Sequence, residues 1–114
     1  MSDWKDKTDF EVNAAVTCHL HDCYGWEVND AEFYHCGIDG SGYFSESILD
    51  YCNNPSHAWP VILENNISIR LRYGMFKNEN YCNPIARSGN VWHSDKNALR
   101  AAMIVFLKLK GVKP

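Results

Sequence analysis

The sequence predicts an α+β fold, a single layered domain in which an antiparallel sheet packs with three helices. The chain has 114 residues, a length typical of one domain, so we expect one domain over residues 1–114. With 46% hydrophobic and 22% charged residues, it can build a core without disulfides. Apolar residues recur at helical spacing in three segments and alternate strictly in another, which predicts helices interleaved with strands.

The first helix is predicted from a capping box. Thr8 can accept a hydrogen bond from the amide of Glu11, whose carboxylate can reach back to the Thr8 amide. This pairing predicts a helix over residues 8–20. The short aromatic runs 24–28 and 31–36 then predict a β-hairpin.

A second helix is predicted to begin at Pro55, with Asn54 as its N-cap. Pro60 lies inside this helix and should kink or tighten it, because proline lacks the amide donor. Asn65-Asn66 is the expected stop, because Asn tolerates the left-handed conformation. The segment before the helix, 43–52, fits either a strand or a short helix. The apolar stripe of the helix is predicted at Ala58, Trp59, Ile62 and Leu63.

Residues 67–73 form the clearest predicted strand, because apolar and polar side chains alternate there without exception. Residues 74–90 are rich in Asn, Gly and Lys, which predicts a hairpin or long loop, with strands near 75–77 and 91–93. One face of the 67–73 strand holds Ile67, Ile69, Leu71 and Tyr73, and the other holds Ser68, Arg70 and Arg72.

The third helix is predicted over residues 96–110, capped by Ser94 or Asp95 and closed by Gly111. It has a broad apolar side. The residues of that side are Leu99, Ala102, Met103, Phe106 and Leu107.

The net charge of −3 hides an asymmetry along the chain. Residues 1–69 contain two basic and twelve acidic side chains, whereas residues 70–114 contain nine basic and two acidic ones. One interpretation is that the two parts neutralise each other across the folded molecule. The other is that the second part contributes an anion-binding face.

The N-terminal sequence lacks a basic start followed by an apolar run, so we expect no secretory signal. The longest apolar stretch, 101–107, is far shorter than the roughly 20 residues that span a bilayer, so we expect no membrane anchor. A cytosolic location follows, where thiols stay reduced. The cysteines expected to be free thiols are Cys18, Cys23, Cys36, Cys52 and Cys82.

Two groups of side chains have the residue types of a reactive site, but their spacing does not favour one. Cysteines and histidines crowd the segments 18–23 and 35–36, yet zinc ligands usually come in C-x-x-C or H-x-x-x-H pairs, so buried thiols beside surface histidines are the stronger interpretation. Cys52 and His57 lie five residues apart across a helix start, without an evident third group to orient them. We therefore expect no enzyme activity, no metal and no cofactor.

Three motifs are similar to those of a known family. They are Thr8-Asp-Phe-Glu-Val-Asn13, Leu49-Asp-Tyr-Cys-Asn-Asn-Pro-Ser-His-Ala-Trp-Pro-Val-Ile-Leu-Glu-Asn65 and Asn97-Ala-Leu-Arg-Ala-Ala-Met-Ile-Val-Phe-Leu107. In these segments the chain resembles the NinX-like family of small temperate-phage proteins. The resemblance implies a phage or prophage accessory protein that works in the infected bacterial cytosol. It also implies a likeness to phage α/β/α sandwich domains, in which an Ala-Trp helix and a C-terminal Arg-Ala-Ala helix flank a sheet.

Some parts of the chain depart from that family's pattern. Family members often have Asp at the position of His57 and Pro at that of Ala98, so neither residue is expected to be an invariant catalytic group. Residues 18–36 and 75–90 match no pattern of the family, and choice of partner or ligand could reside there.

Aromatic and basic side chains in the second part of the chain suit an anionic, base-containing ligand. Indole rings can stack on a base, arginines can hold phosphates, and amides at the start of the second helix could supplement them. With the phage resemblance, this set favours a non-catalytic counter-defence protein that binds and sequesters a small anionic, nucleotide-derived host immune signal. The predicted ligand-binding residues are Asn54, Trp59, Arg70, Arg72, Trp92, His93 and Arg100.

A second hypothesis is a protein-interaction module that inhibits a host enzyme through an acidic aromatic surface. Its predicted anchors are Trp4, Trp26, Phe33 and Tyr34. Nucleic-acid binding is disfavoured because the net charge is negative and no helix concentrates basic residues. The expected partners are a nucleotide-like ligand or a host protein, without a membrane, and a homo-oligomer is left open.

Overall fold

The computed structural model describes residues 3–37, 42–71, 73–76 and 79–114, with the backbone alone for 73–76 and 79–82. A short 3-10 helix (Trp4–Asp6) precedes helices α1 (Asp9–His21), α2 (Pro55–Glu64) and α3 (Ala98–Leu109). The strands are β1 (Glu27–Val28), β2 (Glu32–Cys36), β3 (Tyr43–Ser47), β4 (Ser68–Arg70), β5 (Tyr73–Phe76), β6 (Glu79–Cys82), β7 (Ile85–Ser88) and β8 (Val91–Ser94). Within these ranges, no helix has the length and hydropathy required to cross a bilayer.

The predicted α+β fold with antiparallel strands and three helices is confirmed, and the strands are divided among separate sheets. The strands form two three-stranded antiparallel sheets, β1-β2-β3 and β4-β7-β8, and a two-stranded ribbon, β5-β6. The division falls within the predicted 67–73 strand, because β4 pairs with β7 and ends at Arg70, whereas β5 begins at Tyr73 and pairs with β6. Pairing partners, and not the apolar alternation, therefore decide where this strand ends.

The predicted starts of α1 and α2 are confirmed. The Thr8 hydroxyl accepts from the Glu11 amide at 3.1 Å, and the Glu11 carboxylate accepts from the Thr8 amide at 3.3 Å, which completes the capping box. The Asn54 side chain accepts from the Ser56 amide at 2.9 Å. Pro60 lies inside α2 without ending it.

The cap of α3 is Asn97, and the prediction of Ser94 or Asp95 is wrong. The Asn97 side-chain oxygen accepts from the amides of Leu99 and Arg100 at 3.0 and 3.2 Å. Asp95 instead accepts from the Asn97 amide at 2.9 Å and from Arg100 Nε at 3.1 Å. The Asp95 carboxylate therefore orders the turn before the helix and does not cap it.

Helix α3 forms the centre of the core. All residues of 100–107 are buried, so over about two turns the helix has no side facing solvent. Helices α1 and α2 and the β4-β7-β8 sheet surround it. Ala101 and Ala102 are fully buried, and their small side chains permit close approach of these neighbours. The Arg-Ala-Ala helix thus lies between a sheet and two further helices, where the resemblance implied a helix on the outside of a sheet.

The apolar stripe of α2 is rotated from its predicted position. Ala58, Val61 and Ile62, spaced three and four residues apart, are buried against the core. Trp59 and Leu63 are 52% and 59% exposed. The prediction that Trp59 belongs to the buried stripe is therefore wrong.

Two anchors predicted for a protein-binding surface are instead buried. Trp4 is 5% exposed, and its indole N–H donates to the Val112 carbonyl at 3.2 Å. Phe33, in the middle strand of the β1-β2-β3 sheet, is 8% exposed. Neither side chain can reach a partner without local unfolding, whereas Trp26 and Tyr34 remain partly exposed.

Candidate functional site

The β4-β7-β8 sheet combines a hairpin with the strand that follows α2. Strands β7 and β8 are joined by the two-residue turn Gly89-Asn90, in which Gly89 has a φ of 62°, a conformation that favours glycine. Strand β4 pairs with the other edge of β7. The two registers place side chains in the cross-strand rows Ser68–Arg87–Trp92 and Arg70–Ile85–Ser94.

These two rows lie on the side of the sheet that points away from α3. In the row between them, Ala86 is fully buried and His93 is 8% exposed. Because side chains alternate along a strand, Arg70, Arg87 and Trp92 point to the opposite side, and all three are exposed. We call this surface the outer face, formed by Ser68, Arg70, Ile85, Arg87, Trp92 and Ser94.

The outer face contains an open hollow of about 250 Å³. The lining residues are Ser68, Arg70, Ile85 and Arg87. The Ser68 hydroxyl donates to the Arg87 carbonyl at 3.2 Å, which connects β4 to β7 at the floor of the hollow. Trp92 lies directly across the strand pair from Arg87 and is 53% exposed, so its indole stands beside the hollow.

The two arginines give the outer face its charge. They are diagonal neighbours on adjacent strands, a spacing of about 7 to 8 Å between backbones that long side chains can bridge. Within the part of the chain whose side chains are described, no carboxylate lies within 4.0 Å of Arg70 or Arg87. Two guanidinium groups and an indole therefore converge on one exposed surface, with the donors and the planar ring that an anionic aromatic ligand requires.

Comparison with known families shows to which family the chain belongs. The model of a family described as "Bacteriophage P22, NinX" matches residues 3–110. The chain belongs to the NinX family. Comparisons with curated proteins and with solved structures find no match. Membership of the NinX family makes the chain a phage protein and is consistent with an accessory role.

In this NinX-family chain, Arg100 holds the fold together and does not reach the outer face. Its side chain is 9% exposed and donates to Asp9 at 2.8 Å and to Asp95 at 3.1 Å. Burial alone would lower the pKa of the guanidinium, but the hydrogen bonds and charges of Asp9 and Asp95 raise it above its usual value. Its Nη2 also donates to the carbonyls of Trp4, Lys5 and Lys7. The predicted phosphate-binding role is thus corrected, because these donors already have partners.

The predicted role of His93 is also corrected. Its ring lies on the α3 side of the sheet, with Nδ1 3.5 Å from Lys108 Nζ, while its neighbour Trp92 points to the outer face. Burial, together with the charge of Lys108, lowers the pKa of the imidazole. His93 therefore favours its neutral form and lies on the side of the sheet away from the outer face, so it does not supply a charge to a phosphate there.

Two further predicted ligand residues of the NinX-family chain, Asn54 and Trp59, do not join the outer face. The side-chain oxygen of Asn54 caps α2, and the backbone N–H of Asn54 donates to the Asp50 carbonyl at 2.9 Å. Both groups therefore already have partners. Trp59 lies on the solvent side of α2, which packs on α3 and not on the outer face. Arg72 lies outside the described residues. Of the seven predicted residues, the outer face contains Arg70 and Trp92.

Arg87 is a residue of the outer face that was not among the predicted ligand-binding residues. It lies in β7, a strand within the segment predicted as a hairpin or long loop. The turn dipeptide Gly89-Asn90 between Ile85-Ala-Arg-Ser88 and Val91-Trp-His-Ser94 is a hairpin pattern that could have located it.

The Cys52 thiol offers little reactivity in the folded state. Burial, with the nearby Asp9 carboxylate as a further cause, raises the pKa of this thiol to about 12, which leaves it protonated. The four cysteines whose side chains are described are free, and Cys82 lies outside the described side chains. Among the described residues, no three His, Cys, Asp or Glu side chains are grouped so that they could hold a metal.

Proposed function

We propose that this NinX-family protein is a non-catalytic binding protein for a small anionic, nucleotide-like ligand, which it holds on the outer face. The observation that carries this proposal is that Arg70 and Arg87 line one open hollow, on the face of the sheet where the exposed Trp92 is the cross-strand partner of Arg87. The two arginines can bind phosphates and the indole can stack on a base. A nucleotide has both of these groups.

The ligand is held by stacking and by paired charges. The exposed Trp92 ring stacks on the base, an interaction worth about 1 to 3 kcal/mol per base. The guanidinium forks of Arg70 and Arg87 donate to phosphate oxygens across the hollow, where the charge-assisted bonds are roughly twice as strong as neutral ones. Ser68 and Ile85 form the floor, so the phosphates approach from the solvent side.

The chemistry of the outer face favours retention over turnover. Its arginine, tryptophan, serine and isoleucine side chains include no general acid or base that exchanges a proton near neutral pH. In a phage protein, tight binding without turnover would sequester a host immune signal, such as a cyclic oligonucleotide or an ADP-ribose derivative. This is the biological use that we propose for the outer face.

Calorimetry with a panel of cyclic oligonucleotides and ADP-ribose tests the proposal. We expect at least one ligand to bind, to be recovered unchanged, and to lose about 100-fold in affinity in the double variant Arg70→Gln, Arg87→Gln, since each charge-assisted bond contributes about 1.5 kcal/mol or more. Trp92→Ala should lose about tenfold or more.

The matched control for that experiment is Lys113→Gln, which removes an exposed positive charge far along the chain from the outer face. It should bind like the original protein. Equal affinities in the control and the double variant, or no heat with any member of the panel, would overturn the proposal. Recovery of a cleaved ligand would replace binding with an enzymatic function.

A further inference from the structure

Strand β3 is an open edge of the β1-β2-β3 sheet. The order of the strands leaves β1 and β3 at the two edges, and β1 has two residues whereas β3 has five. A long edge presents unpaired backbone groups to which another strand can bind. Strand β3 is thus the edge of this sheet that is long enough for such pairing.

The pairing of β3 with β2 shows which of its backbone groups are available. The Ile48 amide donates to the Ala31 carbonyl at 2.9 Å, which fixes the alternation of bonded and non-bonded pairs along the ladder. By that alternation, the N–H and C=O groups of Tyr43, Ser45 and Ser47 point away from β2. Among the described residues, no backbone or side-chain group bonds to them.

Several of the features that usually protect an edge strand are missing from β3, in which Glu46 is the one charged residue. The strand contains no Lys, Pro or bulge, which are common means of blocking strand addition. Its side chains are also exposed, with Tyr43 at 61% and Phe44 at 51%. Phe44 stacks on His35 of β2 with ring centroids 4.8 Å apart, so the edge carries an ordered aromatic surface.

The charge around this edge selects the chemistry of a partner. The sheet and its first turn bear the carboxylates of Glu27, Asp30, Glu32 and Glu46, and residues 8–69 contain no Lys or Arg. Glu46 and Phe44 are two residues apart and so lie on one face of β3, where the side chains of an added strand would meet them. The Glu46 carboxylate lies 3.8 Å from His21 Nδ1, and both side chains are 41% exposed, so Glu46 stays accessible to a second cation. An added strand with basic residues at alternate positions complements both residues, through an ion pair with Glu46 and a cation–π contact with Phe44.

A second copy of this chain complements the edge less well. In the antiparallel register of fullest overlap between two β3 strands, Glu46 becomes the diagonal neighbour of Glu46 of the second copy. Like charges at that spacing destabilise the pair, and both copies bring further carboxylates to the same place. The charge therefore favours a basic partner over self-association.

We propose that the β3 edge binds an extended, basic segment of a partner protein by strand addition. The backbone groups of Tyr43, Ser45 and Ser47 supply the hydrogen bonds, and Glu46 and Phe44 select the basic side chains. This surface belongs to a different sheet from the outer face, so the two binding functions can be tested separately.

The test uses a heptapeptide that alternates arginine and valine, titrated into the isotopically labelled full chain. We expect the amides of Tyr43, Ser45 and Ser47 to shift and to become protected from hydrogen exchange. The same peptide with alternate backbone nitrogens methylated keeps its charge but cannot pair along the edge, and it should bind at least tenfold more weakly. Equal binding of the two peptides would overturn strand addition.

Variants of the protein locate the contact. Ser45→Pro should reduce peptide affinity at least tenfold, because it removes an outward amide while leaving the bonds to β2 in place, and Ser45→Ala should bind like the original. Glu46→Gln, which keeps the backbone intact, should weaken binding severalfold. The Arg70→Gln, Arg87→Gln variant should bind the peptide normally.

Three outcomes contradict the proposal. One is Ser45→Pro binding as tightly as Ser45→Ala while its spectrum shows a folded protein. Another is an affinity unchanged by Glu46→Gln. The third is a concentration-dependent doubling of mass that Ser45→Pro abolishes, which would show that a second copy occupies the edge.

Discussion

Arg100 is the residue that joins the two oppositely charged parts of the chain. Arg100 lies in the first turn of α3, yet its side chain contacts Asp9 at the start of α1 and the carbonyl groups of Trp4 and Lys7, which precede that helix. A buried guanidinium is stable only when its donors are satisfied, and here carboxylates and carbonyls satisfy them. Arg100 therefore fixes the N-terminal segment to the core together with the buried Trp4, whose indole N–H donates to the Val112 carbonyl.

Replacing Arg100 with Met should lower the free energy of unfolding by about 3 kcal/mol, because it leaves Asp95 and several carbonyls without their partner. Urea denaturation followed by tryptophan fluorescence measures the change. Arg87→Gln is the matched control, and its exposed side chain should change stability by less than about 0.5 kcal/mol. If both substitutions lowered the free energy of unfolding equally, this would contradict the distinction between Arg100 as a structural arginine and Arg87 as an arginine of the outer face.

His93 gives the protein a predictable response to acid. Because its pKa is lowered in the folded state, the unfolded chain binds a proton more readily below a pH of about 6.5. Stability should therefore fall as the pH drops below that value, by at most about 1.4 kcal/mol per pH unit from this residue. The free energy of unfolding of His93→Gln, measured from pH 7.5 to 5, should depend less on pH than that of the original protein. An identical pH dependence would show that His93 is not the group responsible.

At the level of the helices, the N-caps of α1 and α3 differ in whether they also bond to another part of the chain. Thr8 caps α1 through local bonds to Glu11 alone. Asn97 caps α3 and also donates to the Cys52 carbonyl at 2.7 Å, so it connects α3 to the turn before α2.

Thr8→Ala should cost about 1 kcal/mol of stability and Asn97→Ala about 2 kcal/mol, because the second substitution also leaves the buried Cys52 carbonyl without its donor. Thermal and urea unfolding of the two variants measure the difference. A cost for Asn97→Ala no larger than that for Thr8→Ala would show that the link to Cys52 adds nothing.

The elements that could be predicted from the sequence are those determined by local chemistry. The capping box at Thr8 and the Asn54-Pro55 helix start depend on residues a few positions apart, and both were predicted correctly. The orientation of α2 could not be predicted, because Ala58 through Leu63 contains apolar residues on more than one side and the core selects among them. The division into two sheets likewise depends on distant pairing.

The candidate site was only partly predictable, for reasons that differ between residues. The outward direction of Arg70 followed from strict alternation along β4. The same rule could have separated His93 from Trp92, since adjacent residues of a strand face opposite sides. The role of Arg100 depends on Asp9, a residue far away in the chain, which no local pattern indicates.

At the scale of the whole molecule, the opposite charges of the two parts of the chain meet in one place and stay apart in another. Arg100 and Asp9 neutralise each other across the two parts of the chain. Arg70 and Arg87 have no carboxylate near them among the described side chains, and the β1-β2-β3 sheet retains its acidic character. The fold thus presents a basic surface on one sheet and an acidic one on the other, with α3 packed behind the basic sheet.

The most direct test of the account is the behaviour of the four tryptophan indole N–H resonances during titration of the labelled protein with ADP-ribose and the cyclic oligonucleotides. We expect the Trp92 resonance, assigned with Trp92→Phe, to move most, while those of Trp4, Trp26 and Trp59 stay nearly fixed. The Trp92 shift should disappear in the variant Arg70→Gln, Arg87→Gln. A bound ligand that leaves Trp92 unmoved, or that shifts it equally in the double variant, would contradict the account.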